Sequence, residues 1–382
     1  MSSRIFINQL DRRSDGLPKP STEVRSFHKS LPAYSPTPFV PLPKIAKDLG
    51  IGHILLKDET ERLGLTAFKI LGASWATYRA LTKALDLIAK DVRPQCGSSA
   101  VAIPLSTLAS AAQAAEITLY AATDGNHGRA VARMARYLGI KARIFVPSML
   151  DEEAISKIRS EGAEVLIFDG DYDQTVLATK VAAEAHAERK GLLISDTALK
   201  AEDETAKWMV EGYQTMFDEI EEQVLETTGS KKITHVVTPV GVGSLAQAVV
   251  THFERTPRPT KPIIIAVEPK DAACLKTSLE AGQMTSVKTG YTICTGMCCG
   301  TLSAIGWPVL KNGINTAVAV EDSDVDNAIK YLQACGINAG PCGAASLAGL
   351  EYLLGVESLA LGPDSVVVLL CTEGKRGYRM SD

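Results

Sequence analysis

Ile117-Thr118-Leu119-Tyr120-Ala121-Ala122-Thr123-Asp124-Gly125-Asn126-His127-Gly128 decides the fold. Its first five residues are apolar or β-branched and read as a strand. Residues 123–128 are turn formers. The pattern over 128–138 then places Ala130, Val131, Met134 and Leu138 on one helical face. A strand that ends in a glycine loop and enters an amphipathic helix is half of a βαβ unit. The alternation repeats outward: a strand at 142–146 closed by Pro147, and a helix at 151–160 with acidic residues in its first turn. A strand at 164–168, a helix at 172–189 and a strand at 192–195 follow. Residues 113–193 therefore read as a small domain of their own, expected to be mobile.

The flanks continue the pattern less regularly. Seven prolines fall between Pro18 and Pro43, so residues 1–45 read as an irregular arm. Residues 53–57 form a short strand and 66–85 a helix with Thr66 as candidate cap. Pro94 and Pro104 interrupt 90–112. A helical stretch covers about 206–222. Residues 233–238, 263–267 and 366–370 are apolar and β-branched without alternation, as in parallel strands covered on both faces. The expected class is α/β, with a mainly parallel sheet flanked by helices in each of two domains.

With 382 residues, 46% hydrophobic and 22% charged, the chain can bury a large core. A net charge of −4 and a pI near 6.0 give no pull toward nucleic acid or an anionic membrane surface. No run approaches the roughly 18 apolar residues of a membrane span. Met1-Ser2-Ser3-Arg4-Ile5-Phe6 lacks the apolar region of a signal peptide, so a cytoplasmic protein is expected. The eight cysteines and six histidines show no zinc spacing; reduced, buried thiols and no metal site are expected.

Three segments carry chemistry. In Gly64-Leu65-Thr66-Ala67-Phe68-Lys69-Ile70-Leu71-Gly72, the lysine has apolar neighbours, and desolvation makes an amine nucleophilic. A solvated surface lysine is the bland alternative. In Thr123-Asp124-Gly125-Asn126-His127-Gly128, a turn with a helix cap competes with an anion site, whose backbone N–H groups receive a substrate carboxylate. In Pro239-Val240-Gly241-Val242-Gly243-Ser244, a tight β–α turn competes with a phosphate cradle to which Ser244 adds a donor. The third glycine of a dinucleotide fingerprint is replaced by Ala246, and the Gly-Lys pair of a P-loop is missing. A lysine followed by two glycine loops suits pyridoxal phosphate: the lysine takes the aldehyde, and the loops take ring oxygen and phosphate. Cys371-Thr372-Glu373-Gly374 ends the last apolar strand, where ligands bind in open α/β sheets.

The order of these pieces resembles the fold-type II pyridoxal-phosphate enzymes, the tryptophan-synthase-β and serine/threonine-dehydratase superfamily. Within it, the pattern is most similar to diaminopropionate ammonia-lyases. Ser35-Pro36-Thr37-Pro38, Ala67-Phe68-Lys69, Ala122-Thr123-Asp124-Gly125-Asn126-His127-Gly128-Arg129, Asp196-Thr197-Ala198, Val267-Glu268-Pro269 and Gly306-Trp307 carry the resemblance. Ordinary dehydratases have serine where Asp124 stands. The resemblance implies that Lys69 bears the cofactor and removes the α-proton, with Asp124 as second acid/base. It implies cofactor contacts from Phe68, Asn126, Asp196, Gly241, Val242, Gly243 and Ser244. Cys371, or Thr372, would face the pyridine nitrogen. Thr123, Asp124, Gly125, His127, Lys200 and Thr301 would meet the substrate. Two departures bear on that substrate: Leu199-Lys200-Ala201-Glu202 stands for Trp-Glu-Gly-Tyr, and Cys298-Cys299-Gly300-Thr301 for Ala-Cys-Gly-Glu.

The implied reaction is α,β-elimination from a small amino acid such as 2,3-diaminopropionate, giving a 2-oxo acid and ammonia. β-Replacement and serine or threonine dehydration are the alternatives within the class; an inactive binding homologue is the alternative outside it. A homodimer is expected. Residues 1–112 and 194–382 would form the large cofactor-binding domain, with the cofactor between it and the 113–193 domain.

Overall fold

The computed structural model describes residues 4–8, 20–87, 103–186, 190–200, 202–230, 232–255 and 260–380. In chain order the elements begin with β1 (Ile5–Ile7), α1 (Glu23–Ser30), β2 (Phe39–Pro41), α2 (Pro43–Asp48), β3 (His53–Asp58) and α3 (Lys69–Ala84). Then come α4 (Leu105–Ala114), β4 (Thr118–Ala122), α5 (Asn126–Leu138), β5 (Lys141–Pro147), α6 (Glu152–Arg159), β6 (Glu164–Phe168), α7 (Tyr172–Glu184) and β7 (Gly191–Leu193). After α8 (Glu204–Gly212) and α9 (Gln214–Thr228) follow β8 (His235–Pro239), α10 (Ser244–Arg255), β9 (Ile263–Pro269) and α11 (Cys274–Ala281). The chain closes with α12 (Trp307–Gly313), β10 (Thr316–Val320), α13 (Asp322–Ala334), α14 (Pro341–Tyr352) and β11 (Val366–Cys371).

The chain divides into two compact units. One comprises Met1–Pro20, Pro36–Phe68 and Met216–Asp382; the other comprises Ser21–Ser35 and Lys69–Thr215. In the first, seven strands pair in the order β1-β10-β9-β8-β11-β3-β2 among the described residues. Every pairing is parallel except those of the edge strands β1 and β2. Strands β8, β10 and β11 are buried along their whole length, which is why their sequences are apolar without alternation. Helix α14 covers one face, buried from Pro341 to Leu350. A side chain at Gly349 would come within 2.4 Å of Val267, so glycine lets the helix lie close on β9.

The same unit buries a charged knot. Lys57, Glu59, Arg62 and Glu219 have no exposed side-chain surface. Lys57 Nζ donates to Glu219 (2.7 Å), the Thr37 carbonyl (2.9 Å) and Gln223 (2.8 Å). Arg62 bridges both carboxylates at 2.6–2.8 Å. The charges cancel, and the donors and acceptors answer one another, as a buried ion cluster requires. The knot fixes the loop that leaves β3, and Arg62 and Leu65 then exchange backbone hydrogen bonds.

In the second unit four strands pair in parallel, β6-β5-β4-β7. They lie within the 113–193 segment, and the compact unit around them also takes in α1, α3, α4 and α8. Helices α3 and α8 meet through glycines: a side chain at Gly212 would come within 2.8 Å of the Gly72 Cα. Trp75 on α3 is fully buried, its ring near Phe27 and stacked on Tyr78. Such close packing makes α3 a rigid support for Lys69 at its head.

Several local expectations change. Residues 66–68 do not begin a helix capped by Thr66; α3 starts at Lys69. Ala67 instead forms a bridge with Glu373, and the Thr66 carbonyl accepts from Gly374 N–H at 2.8 Å. The proline-rich arm contains α1, β1 and β2. The helical stretch over 206–222 is two helices, α8 and α9, parted at Tyr213. Strand β10 was not anticipated. Residues 90–102 and the end of the 172–189 helix lie outside the described residues.

Candidate active site

In the second unit, β4 delivers the chain to the Thr123–Gly128 loop. Thr123 N–H still donates to the Phe145 carbonyl (3.0 Å), extending the β4–β5 ladder by one bond. Its hydroxyl then accepts from the N–H groups of Gly125 and Gly128, both at 2.8 Å. The hydroxyl of Thr123 therefore caps α5. At Gly125 the backbone adopts φ 130°, a conformation open to glycine alone. Asp124 and Asn126 are the partly exposed members of the loop; Thr123, Gly125 and His127 are buried.

His127 Nε2 lies 2.8 Å from the Ile194 carbonyl, so this nitrogen carries the proton. Burial lowers the imidazole below its usual range despite the Asp196 carboxylate, so the ring is neutral. Two residues past Ile194, Asp196 receives Lys69 Nζ on one oxygen (2.7 Å) and the Tyr172 hydroxyl on the other (2.9 Å). Burial alone would push the Asp196 carboxyl up; the Lys69 ammonium first, then the Tyr172 hydroxyl, hold it far below the carboxylate range. The Lys69 side chain is 18% exposed and that of Asp196 7%, so the pair is largely removed from solvent. Lys69, His127 and Asp196 thus come together. Tyr172 belongs with them and was not foreseen.

In the first unit, β8 ends and Val240 N–H pairs with the Val267 carbonyl (2.9 Å). The chain then turns through Gly241-Val242-Gly243 into α10. Gly243 has φ 92°, and a side chain there would meet Leu310 at 2.8 Å. One at Gly241 would sit 3.1 Å from the Gly296 carbonyl and 3.3 Å from Cys299 Sγ. Backbone therefore lines this turn where other residues would put side chains. Ser244 opens a twelve-residue helix, whose positive end and spare N–H groups face the turn. A phosphate monoester fits such a cradle, and Lys69, beside a buried carboxylate, fits an aldehyde.

The remaining candidates are placed as follows. Phe68 is buried, and its N–H donates to the Thr372 carbonyl (3.2 Å). Cys371 is fully buried among apolar side chains, and burial drives its thiol up. The Thr372 hydroxyl donates to the Cys342 carbonyl (3.1 Å). Lys200 is exposed, its N–H bonded to Asp203 (3.0 Å). Thr301 is partly exposed, its hydroxyl 2.9 Å from that of Ser286.

A family model for pyridoxal-phosphate-dependent enzymes matches residues 31–373. The chain belongs to this family. Its cofactor is pyridoxal 5′-phosphate, and its fold is the fold-type II α/β architecture. A diaminopropionate ammonia-lyase of Salmonella typhimurium is 37% identical over 306 residues, 78% of this chain and 72% of that protein. One of Escherichia coli K12 is 31% identical over 364 residues, 92% of this chain and 87% of the relative. A crystal structure of diaminopropionate ammonia-lyase from Escherichia coli, in complex with an aminoacrylate–PLP azomethine reaction intermediate, superposes with a TM-score of 0.82. It is 30% identical, covering 97% of this chain and 93% of that one.

Proposed function

We propose that this enzyme is a carbon–nitrogen lyase. It removes the α-proton and the β-substituent of a small amino acid such as 2,3-diaminopropionate, and water completes the conversion to a 2-oxo acid. With diaminopropionate the products are pyruvate and two ammonia. The observation that carries the reading is Lys69 Nζ at 2.7 Å from the buried Asp196 carboxylate, at the head of a closely packed helix. Bound pyridoxal phosphate supplies the electron sink that makes the α-proton acidic. Lys69 holds the cofactor and moves that proton. Asp196, fixed by Tyr172, orients the lysine. Asp124, on the partly exposed side of its loop, is the second acid/base, and the loop N–H groups and Asn126 receive carboxylate or ring oxygen. Gly241, Val242, Gly243 and Ser244 would hold the phosphate, and the thiol of Cys371 or the hydroxyl of Thr372 would face the ring nitrogen.

At the two positions where the ammonia-lyase pattern is acidic, this chain has a neutral hydroxyl and a cation. Thr301 and Ser286 offer a pair of hydroxyls, and Lys200 a cation. We read this as a preference for a neutral or anionic β-substituent over a second ammonium. One changed charge contact in a partly desolvated site amounts to roughly 5- to 150-fold in specificity. The protein is further read as a cytoplasmic homodimer; among the described residues no helix is long and apolar enough to cross a membrane.

The deciding experiment is borohydride reduction of the yellow holoenzyme, absorbing at roughly 410–430 nm by general cofactor chemistry, followed by peptide mapping and an oxo-acid assay. Label on Lys69 and oxo-acid release are expected. Label elsewhere would refute the lysine, and labelled protein without turnover on any amino acid would refute the lyase. A kcat/KM series over both enantiomers of diaminopropionate, serine, threonine and O-phosphoserine ranks the substrates. Preference for diaminopropionate would sink the neutral-or-anionic reading alone.

A further inference from the structure

Glu268 belongs to the Val267-Glu268-Pro269 motif, yet nothing in the proposed reaction uses it. It sits on β9 with no exposed surface, and the preceding residue pairs with Val240 at the mouth of the glycine turn. Its carboxyl accepts from two backbone N–H groups in the first turn of α11, Leu275 at 2.7 Å and Lys276 at 2.8 Å. An acid buried at a helix N-terminus fixes that turn in place. Lys276 Nζ itself pairs with Glu280 at 2.7 Å. The first residue of the same helix is Cys274, fully buried, whose thiol lies 3.8 Å from the Gly241 carbonyl, within range of a sulfur hydrogen bond. Burial, followed by the charge of Glu268, raises the thiol, so it stays protonated and able to donate. Gly241 has no side chain of its own to fix it. Its carbonyl is therefore set by the neighbours around it.

We propose that Glu268 and Cys274 are positioning residues of the phosphate cradle: the carboxyl fixes the first turn of α11, and the thiol at its head holds the Gly241 carbonyl, and with it the turn that receives the cofactor phosphate. The proposal rests on reading Gly241–Ser244 as that cradle. Phosphate binding by backbone N–H groups depends on their alignment, so support one layer behind them is felt by a phosphorylated ligand and not by its phosphate-free analogue.

The test measures binding of pyridoxal 5′-phosphate and of pyridoxal to the apoenzyme, for wild type, Glu268→Gln, Cys274→Ala and Cys274→Ser. Wild type should favour the phosphorylated ligand strongly. Glu268→Gln and Cys274→Ala should each weaken the phosphorylated ligand roughly 10-fold, the effect of one lost hydrogen bond in a buried site. Pyridoxal binding should hardly change. Cys274→Ser keeps a donor and should recover most of the loss. Equal weakening of both ligands, or unchanged affinity for the phosphorylated one, overturns the proposal. The cysteine pair decides it alone if Glu268→Gln does not fold. A wild type that binds both ligands equally would instead sink the cradle reading itself.

Discussion

Arg62→Met tests whether the charged knot behaves as its geometry demands. The substitution removes five donor–acceptor contacts, to both oxygens of Glu59, both oxygens of Glu219 and the Thr37 hydroxyl. The three ionised side chains that remain then carry a net charge of −1 instead of the knot's zero, with Lys57 left to serve both carboxylates. All four are sealed from solvent, so water does not replace the lost partner. Breaking a buried pair in this way costs about 3–5 kcal/mol, whereas replacing a whole buried cluster by apolar residues is often neutral or stabilising. Arg62→Met should therefore lower the guanidinium unfolding free energy by about 3–5 kcal/mol at pH 7. The combined Lys57→Met, Glu59→Leu, Arg62→Met and Glu219→Leu variant should recover most of it. The loss should also depend on pH. Burial pushes the Glu219 carboxyl up, but Arg62 and Lys57 hold it down at about 2. Its folded value lies below the unfolded one, so its contribution is complete above about pH 4.5 and fades as pH falls toward 2. The gap between wild type and Arg62→Met must narrow from pH 7 to pH 3. A loss under about 1 kcal/mol at pH 7, or a gap independent of pH, would refute this account.

Other consequences are equally direct. Asp124→Asn should leave α5 intact, because Thr123 does the capping, and lower turnover by roughly 10²-fold; near-wild-type kcat on every substrate would return Asp124 to a structural role. Thr123→Val strips the acceptor from two N–H groups and should cost about 1–3 kcal/mol in a thermal or denaturant melt, with Thr123→Ser close to wild type. Gly243→Ala meets both a left-handed backbone and Leu310, so equilibrium dialysis should show weaker cofactor retention together with a loss of about 1–3 kcal/mol in stability. Burial raises Glu268 to about 7, the helix N–H groups offsetting part of the effect. Its folded value exceeds the unfolded one, so its own contribution is complete below about pH 4.5 and falls by about 3 kcal/mol as pH rises through 7; Glu268→Gln should flatten that slope in melts from about pH 5 to 8.

The fold was legible wherever burial on both faces left an apolar run. Strands β8, β9 and β11 announced themselves this way, each within two residues of its observed ends. Strand β10 was missed although Thr316, Val318 and Val320 are β-branched, because the run is only five residues long and two of them are alanine. Its state is set by pairing with β9 and β1. The start of α3 was misplaced for the same physical reason. Thr66 and Ala67 are acceptable helix residues, and their bonds to Glu373 and Gly374, distant in the chain, keep them out of the helix.

The candidate site divides along the same line. Glycine positions are local statements about backbone: φ 130° at Gly125 and φ 92° at Gly243 need glycine whatever surrounds them, so both loops stood out in the sequence. A lysine among apolar residues was equally conspicuous. What makes Lys69 unusual is not local at all. Its partner Asp196 lies beyond the whole four-stranded sheet in sequence, and Tyr172, which occupies the other oxygen, is the first residue of a helix with no motif around it. The same holds for Cys274 and Gly241, 33 residues apart, which meet only because β9 and α11 fold back behind the glycine turn. Residues whose chemistry rests on backbone conformation can be read from the chain; residues whose chemistry rests on a partner's charge emerge only once the strands are paired. Variants of the first kind should fail through backbone strain, and variants of the second should be recoverable by changing the partner. That difference can be measured by pairing Gly243→Ala, and separately Arg62→Met, with second substitutions at Leu310 and Glu219.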